Sequence, residues 1–163
     1  MKYLIVVLIS ILLVSFSPTC VVKYGVKKTW LFSKQEFAGT VARDENGKQI
    51  TKSSWHTHFL YLEVDKQNMT TWDSALYNNN IYQLSAFQIK EPKVEVGKIN
   101  DESKLIVIKP KSNRALVLIH FQNMDIPMEN TKQKITLFGT QKNEKIQLEI
   151  SKENINLLSE FKP

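Results

Sequence analysis

Apolar residues recur along most of this chain in short runs separated by turn-forming residues, a spacing that predicts β-strands rather than helices. Leu105–Phe121 carries the pattern most densely: Leu-Ile-Val-Ile, the polar stretch Lys-Pro-Lys-Ser-Asn-Arg, then Ala-Leu-Val-Leu-Ile-His-Phe. It reads as two buried strands joined in a hairpin at the centre of a sheet. Pro110 cannot donate a ladder hydrogen bond, so the first strand should end by Lys109 and the connection should span Pro110–Asn113. The second run, Ala115–Ile119, is apolar at consecutive positions and predicts cover on both faces.

Other segments follow the same grammar. Trp30–Ala42 is a first extended stretch, and Arg43–Ser54 is a loop around the turn dipeptide Asn46-Gly47. In Trp55–Val64 alternation puts His56, His58, Leu60, Leu62 and Val64 on one face and Trp55, Thr57, Phe59, Tyr61 and Glu63 on the other. Thr70–Tyr77 and Ile81–Ile89 form a hairpin about Asn78-Asn79-Asn80, since asparagine tolerates left-handed backbone geometry. Val94–Gly97 is a short edge-like segment, and Lys98–Lys104 a polar link. Gln122–Lys134 is long enough to cross between sheets. Ile135–Thr140 and Lys145–Ser151 are strands, the latter with Ile146, Leu148 and Ile150 opposite Lys145, Gln147 and Glu149. For Asn154–Phe161 a short helix and an extended tail both stand open. These elements predict an all-β antiparallel sandwich in preference to a barrel, with immunoglobulin-like topology as one option.

The N-terminus has a different grammar. Lys2, the apolar run Leu4–Phe16 and the following Ser17-Pro18-Thr19-Cys20 are the three regions of a secretory signal. The expected organisation is a signal peptide over 1–19, a tether over 20–29 and one sandwich domain over 30–163. Cys20 is the only cysteine, so no intramolecular disulfide can brace the core. Its place directly after the apolar run resembles the acylated cysteine of bacterial lipoproteins. Thr19, Pro18 and Ser17 depart from the usual residues there, so ordinary cleavage nearby and an uncleaved anchor stay open beside lipid attachment at Cys20.

Composition changes this picture little. The 163 residues are 42% hydrophobic and 23% charged, ordinary for a folded domain. A net charge of +6 favours anionic partners, but the basic residues are scattered between apolar runs and the reading is no nucleic-acid partner. Catalytic candidates are few. There is no Gly-x-Ser-x-Gly elbow, no His-Glu-x-x-His helix and no glycine-rich phosphate loop. His56 and His58 lie on one strand face about 7 Å apart along the chain, close enough to share a metal if a third ligand came from elsewhere. Their alternative role is hydrogen bonding at a sheet margin. No catalytic residue, metal or cofactor is assigned. Glu63 with Asp65 and Asp101 with Glu102 are acidic pairs read as solvated. Aromatic residues including Trp30, Trp55, Tyr61 and Trp72 suit either a sugar- or peptide-binding groove or a core. Lys104, Lys109, Lys111 and Arg114 ring the central turn, either facing phosphate head groups or keeping a turn soluble.

The order of an export signal ending near Cys20, then Phe59–Val64, Trp72 with Tyr82, Val96-Gly97, Val107–Asn113 and Leu116–Leu118 resembles small exported proteins of Bacteroidetes-type bacteria. That resemblance implies an envelope location and a compact β-fold, and carries no activity onto any residue. The expected function is that of an exported, lipid-anchored envelope protein in the periplasm or outer envelope. It would bind a protein or glycan without catalysis. The alternative is a periplasmic metal-dependent or hydrolytic enzyme using His56 and His58.

Overall fold

The computed structural model describes residues 24–99 and 104–162, with residues 160–162 as backbone only. The expected signal peptide, Cys20, and the pair Asp101 and Glu102 lie outside the described residues. The described residues are all-β and form nine strands: β1 Val26–Ala38, β2 Ser54–Asp65, β3 Thr71–Tyr77, β4 Asn80–Ile89, β5 Val94–Ile99, β6 Lys104–Ile108, β7 Arg114–Phe121, β8 Lys132–Gln141 and β9 Glu144–Lys162. Seven of them close a barrel in the order β1-β2-β7-β4-β3-β8-β9, while β5 and β6 form a separate two-stranded ribbon.

The expected sandwich gives way to this barrel because two strands serve both of its halves. β4 pairs with β3 through Asn80–Gln83 and with β7 through Leu84–Ile89. β9 pairs antiparallel with β8 as far as Glu153, then runs parallel to β1 from Asn154. The C-terminal helix option is thereby removed. Asn154 turns into the barrel opposite Leu31, Ile155 and Leu157 pack outward, and the whole of Glu144–Lys162 is one strand. The three-residue spacing of Ile155, Leu158 and Phe161 suited a helix, but alternation of Asn154 inward and Ile155 outward fits the seam that closes the sheet.

Both short hairpins obey their turn chemistry. Asn78 and Asn79 take φ of 47° and 62°, and Lys142 and Asn143 take 49° and 66°, the paired positive values of a two-residue turn that matches strand twist. The central hairpin does not form as expected. β6 pairs with β5, not β7, and β7 lies between β2 and β4. Pro110 follows the end of β6 as anticipated, but the connection carries the chain from the ribbon to the barrel strand β7 instead of folding it back onto β6. β5 is correspondingly longer than Val94–Gly97 and takes up part of the segment read as a polar link.

Two apolar layers explain the arrangement. Inside the barrel, Leu31, Leu60, Leu62, Val117, Ile119, Ile135, Leu137 and Leu148 are buried. Outside it, Phe32, Tyr61, Leu116 and Leu157 form a second cluster beneath Val94, Val96, Ile106 and Ile108 of the ribbon. The consecutive apolar run of β7 is therefore covered on both faces, Ala115, Val117 and Ile119 by the barrel interior and Leu116 and Leu118 by the ribbon side. Met124 and Met128, in the connection between β7 and β8, fold over one barrel end and join the inner core. That connection crosses the barrel end, as its length requires.

Gly139 sets the spacing of β3 against β8. A Cβ there would stand 2.2 Å from the Thr71 carbonyl oxygen and 3.0 Å from the Trp72 ring, where the register shifts between Trp72 and Ser74. Gly139→Ala should destabilise the fold by about 1–3 kcal/mol, the usual range for overpacking, seen as a lower urea midpoint. An unchanged midpoint would mean that β3 can retreat freely.

Candidate functional site

Three regions gather polar chemistry on this frame. The first is the barrel end closed by the β7–β8 connection. Parity places His58 inward beside Ser33, its cross-strand partner, and the antiparallel register puts His56 opposite Gln35 nearer the rim. His58 is 1% exposed, and its ring nitrogens make no hydrogen bond of good geometry, although the Ile126 backbone lies close enough to favour the charged ring. Burial pulls its pKa down from 6.5 to about 4, with the charge of nearby His56 acting in the same direction and the Ile126 backbone against it. His58 is thus a neutral imidazole at pH 7.

Around it runs a side-chain network. Asn154 donates through Nδ2 to Ser33 Oγ at 2.8 Å and to Asn156 Oδ1 at 2.8 Å, while Ser33 donates to Asn156. The parallel register of β1 with β9 brings these side chains together, since Leu31 faces Asn154 and Ser33 faces Asn156. A small cavity of about 170 Å³ opens here between Ser33, His56, Met128 and Asn156. At its margin, Asp125 accepts from the His56 backbone N–H at 2.6 Å, approaches His56 Nδ1 at 3.3 Å and pairs with Lys52.

The two histidines expected on one face are thus found there, in different surroundings. His56 is oriented by a carboxylate at the rim, whereas His58 is buried beside Ser33. Among the described residues no group of three or more His, Cys, Asp or Glu side chains is placed to hold a metal ion.

The second region lies where β4 ends. Glu63, on the outer face of β2, is 1% exposed and accepts from Arg114 Nη1 at 3.1 Å and from the Lys111 backbone N–H at 3.1 Å. It is a buried structural ion pair, which corrects the expectation of a solvated acid. Asp65 pairs instead with Lys27 at 2.8 Å, so the two carboxylates do not act together. A cleft of about 500 Å³ sits beside this pair, between the end of β4 and the β6–β7 connection. Lys109, Lys111 and Arg114 line it as the sequence grouped them, and Lys104 does not.

The third is an open groove of about 770 Å³ over the bend of β9, with Trp30 and Ile155 as its apolar surface and Thr131, Lys132, Ser151, Lys152 and Glu153 around them. The remaining aromatics divide by parity. Trp72 and Tyr77 enter the core, and Phe32 packs edge-on against Tyr61 at 5.9 Å. Trp55 Nε1 donates to the buried Glu36 carboxylate at 2.6 Å, with Thr57 Oγ1 on the same oxygen at 3.2 Å. Trp30 remains half-buried and borders the groove.

Comparison of the chain with protein-family models, curated proteins and solved structures yields no match in any of the three. Function rests on the geometry alone. Sequence reasoning singled out His56, His58 and the basic turn, and missed Ser33, Asn154 and Asn156. Their only sequence signal was polarity at positions where a strand would otherwise be apolar. It also missed Lys66 and Lys90, which lie far from the basic turn in sequence.

Proposed function

We propose that this chain is an exported, lipid-anchored envelope protein whose barrel is a non-enzymatic binding module for a glycan. The observation that carries the reading is the Trp30 groove. A flat aromatic surface bordered by hydroxyl, carboxylate and ammonium side chains suits a sugar, whose C–H face packs on the ring while its hydroxyls exchange hydrogen bonds with the rim. The signal-like N-terminus supports an envelope location, and Cys20 at its end supports acylation.

Titrating the full chain in nonionic detergent with polysaccharide from native envelopes should change its tryptophan fluorescence saturably. Trp30→Ala, followed by calorimetry, should weaken binding at least about tenfold, equivalent to about 1.4 kcal/mol, while the variant stays folded at the temperature of the titration. Equal affinity in the variant would overturn the groove as the binding surface. Capture of an envelope protein with no polysaccharide response would redirect the reading to a protein ligand. Palmitate incorporation lost in Cys20→Ser is the corresponding result for the anchor, and a soluble chain carrying no acyl group would remove it.

A further inference from the structure

We propose that the cleft beside the buried Glu63–Arg114 pair is a binding site for a phosphate-bearing anion, separate from the Trp30 groove. Its walls come from distant parts of the sequence. Lys66 follows β2, Lys90 follows β4, Lys109 and Lys111 lie in the β6–β7 connection, and Arg114 opens β7. Folding brings these five cationic side chains to one cleft, and Glu91 is the one carboxylate among the described residues lining it. Counting the buried Glu63 as well, five positive charges face two negative ones, an excess of three. Gathering like charges costs self-repulsion that a bound anion relieves.

The cleft is also held open in advance. Lys111 N–H is fixed by Glu63, Lys66 Nζ donates to the Ser112 carbonyl at 3.0 Å, and the Arg114 N–H donates to the Lys111 carbonyl at 2.9 Å. Pro92 and Pro110, with φ fixed by their rings, stand in the two chain segments that form its sides. The connection carrying Lys109 and Lys111 is thus positioned before any ligand arrives, so little ordering cost opposes binding. Lys66 spends one of its three ammonium donors on Ser112, leaving two for a ligand oxygen. At about 500 Å³, with Ile89 and Leu116 contributing apolar surface, the space suits a phosphorylated small molecule or a lipid head group. Phosphate is favoured over a single carboxylate because cationic side chains from separate segments of the chain line the cleft, and phosphate offers more acceptor oxygens and more charge.

The test uses the full chain in nonionic detergent, with inorganic pyrophosphate as the probe. Calorimetry should give saturable binding that weakens with added salt. Lys90→Gln, Lys109→Gln and Lys111→Gln combined should weaken it at least about tenfold. The combination Lys48→Gln, Lys142→Gln and Lys145→Gln, which removes the same charge from exposed sites elsewhere, should leave it unchanged. In a second arm, amine acetylation of Lys109 and Lys111 is followed by mass spectrometry with either pyrophosphate or phosphatidylglycerol-doped micelles present. Protection by pyrophosphate supports a soluble phosphate ligand, and protection by phosphatidylglycerol alone supports a lipid head group. Equal weakening by the two triple variants, or protection by neither probe, overturns the site. Trp30→Ala should bind pyrophosphate normally, so failure of the glycan reading and failure of this site give different results.

Discussion

Glu63→Ala is expected to cost about 3–5 kcal/mol of folding stability, the largest loss anticipated for any single side chain here. Its carboxylate is buried against Arg114 and also accepts the Lys111 N–H. Truncation leaves a guanidinium partly buried without its counter-charge, its own Nε already lacking a partner, and strands the Lys111 backbone donor. The pair itself contributes much less than its breakage costs, because both charges gave up hydration to form it. The double variant Glu63→Leu/Arg114→Met should therefore recover most of the loss. Urea unfolding of the two singles and the double gives the coupling directly. A Glu63→Ala loss below about 1 kcal/mol would mean that Arg114 escapes to water when freed.

The second large effect is acid destabilisation through His58. Its folded pKa of about 4 lies below the ordinary 6.5, so between these values the unfolded chain binds the proton and the folded chain does not. Stability is therefore fully present above pH 6.5 and falls as the pH drops toward 4. The whole difference corresponds to about 3 kcal/mol at about 1.4 kcal/mol per unit. His120, whose pKa burial also lowers against an opposing influence of Glu36, acts with the same sign. His58→Phe isolates the contribution. The variant should lose less stability than the parent between pH 7 and pH 5, and at neutral pH it no longer buries an imidazole whose nitrogens lack hydrogen bonds of good geometry. Parallel pH curves for parent and variant would show that the imidazole gains a partner or water on protonation.

Some consequences of the sequence needed no tertiary information. The alternation in Trp55–Val64 placed His58, Leu60 and Leu62 on one face, and the asparagines at 78 and 79 placed a turn, because each depends only on backbone geometry within a few residues. The density of short apolar runs likewise determined an all-β chain, and the unbroken Ala115–Ile119 run determined a strand covered on both faces.

Pairing is another matter. Leu105–Ile108 followed by a proline turn and another apolar strand satisfies every local condition for a hairpin, yet β6 turns to β5. What decides this is the outward apolar surface of Phe32, Tyr61, Leu116 and Leu157, which the four strands β1, β2, β7 and β9 build together and the β5–β6 ribbon covers. Closure of the barrel is decided in the same way, by β9 passing from β8 to β1, and local propensity at Asn154–Phe161 left helix and strand both open. The candidate sites follow suit. The basic connection could be read from Lys109, Lys111 and Arg114, but only the fold adds Lys66 and Lys90 to it and removes Lys104. The sequence by itself determined which short segments are strands and which way their side chains face. Tertiary structure decided which strands meet, because apolar surface and charge are matched between residues that the chain alone keeps far apart.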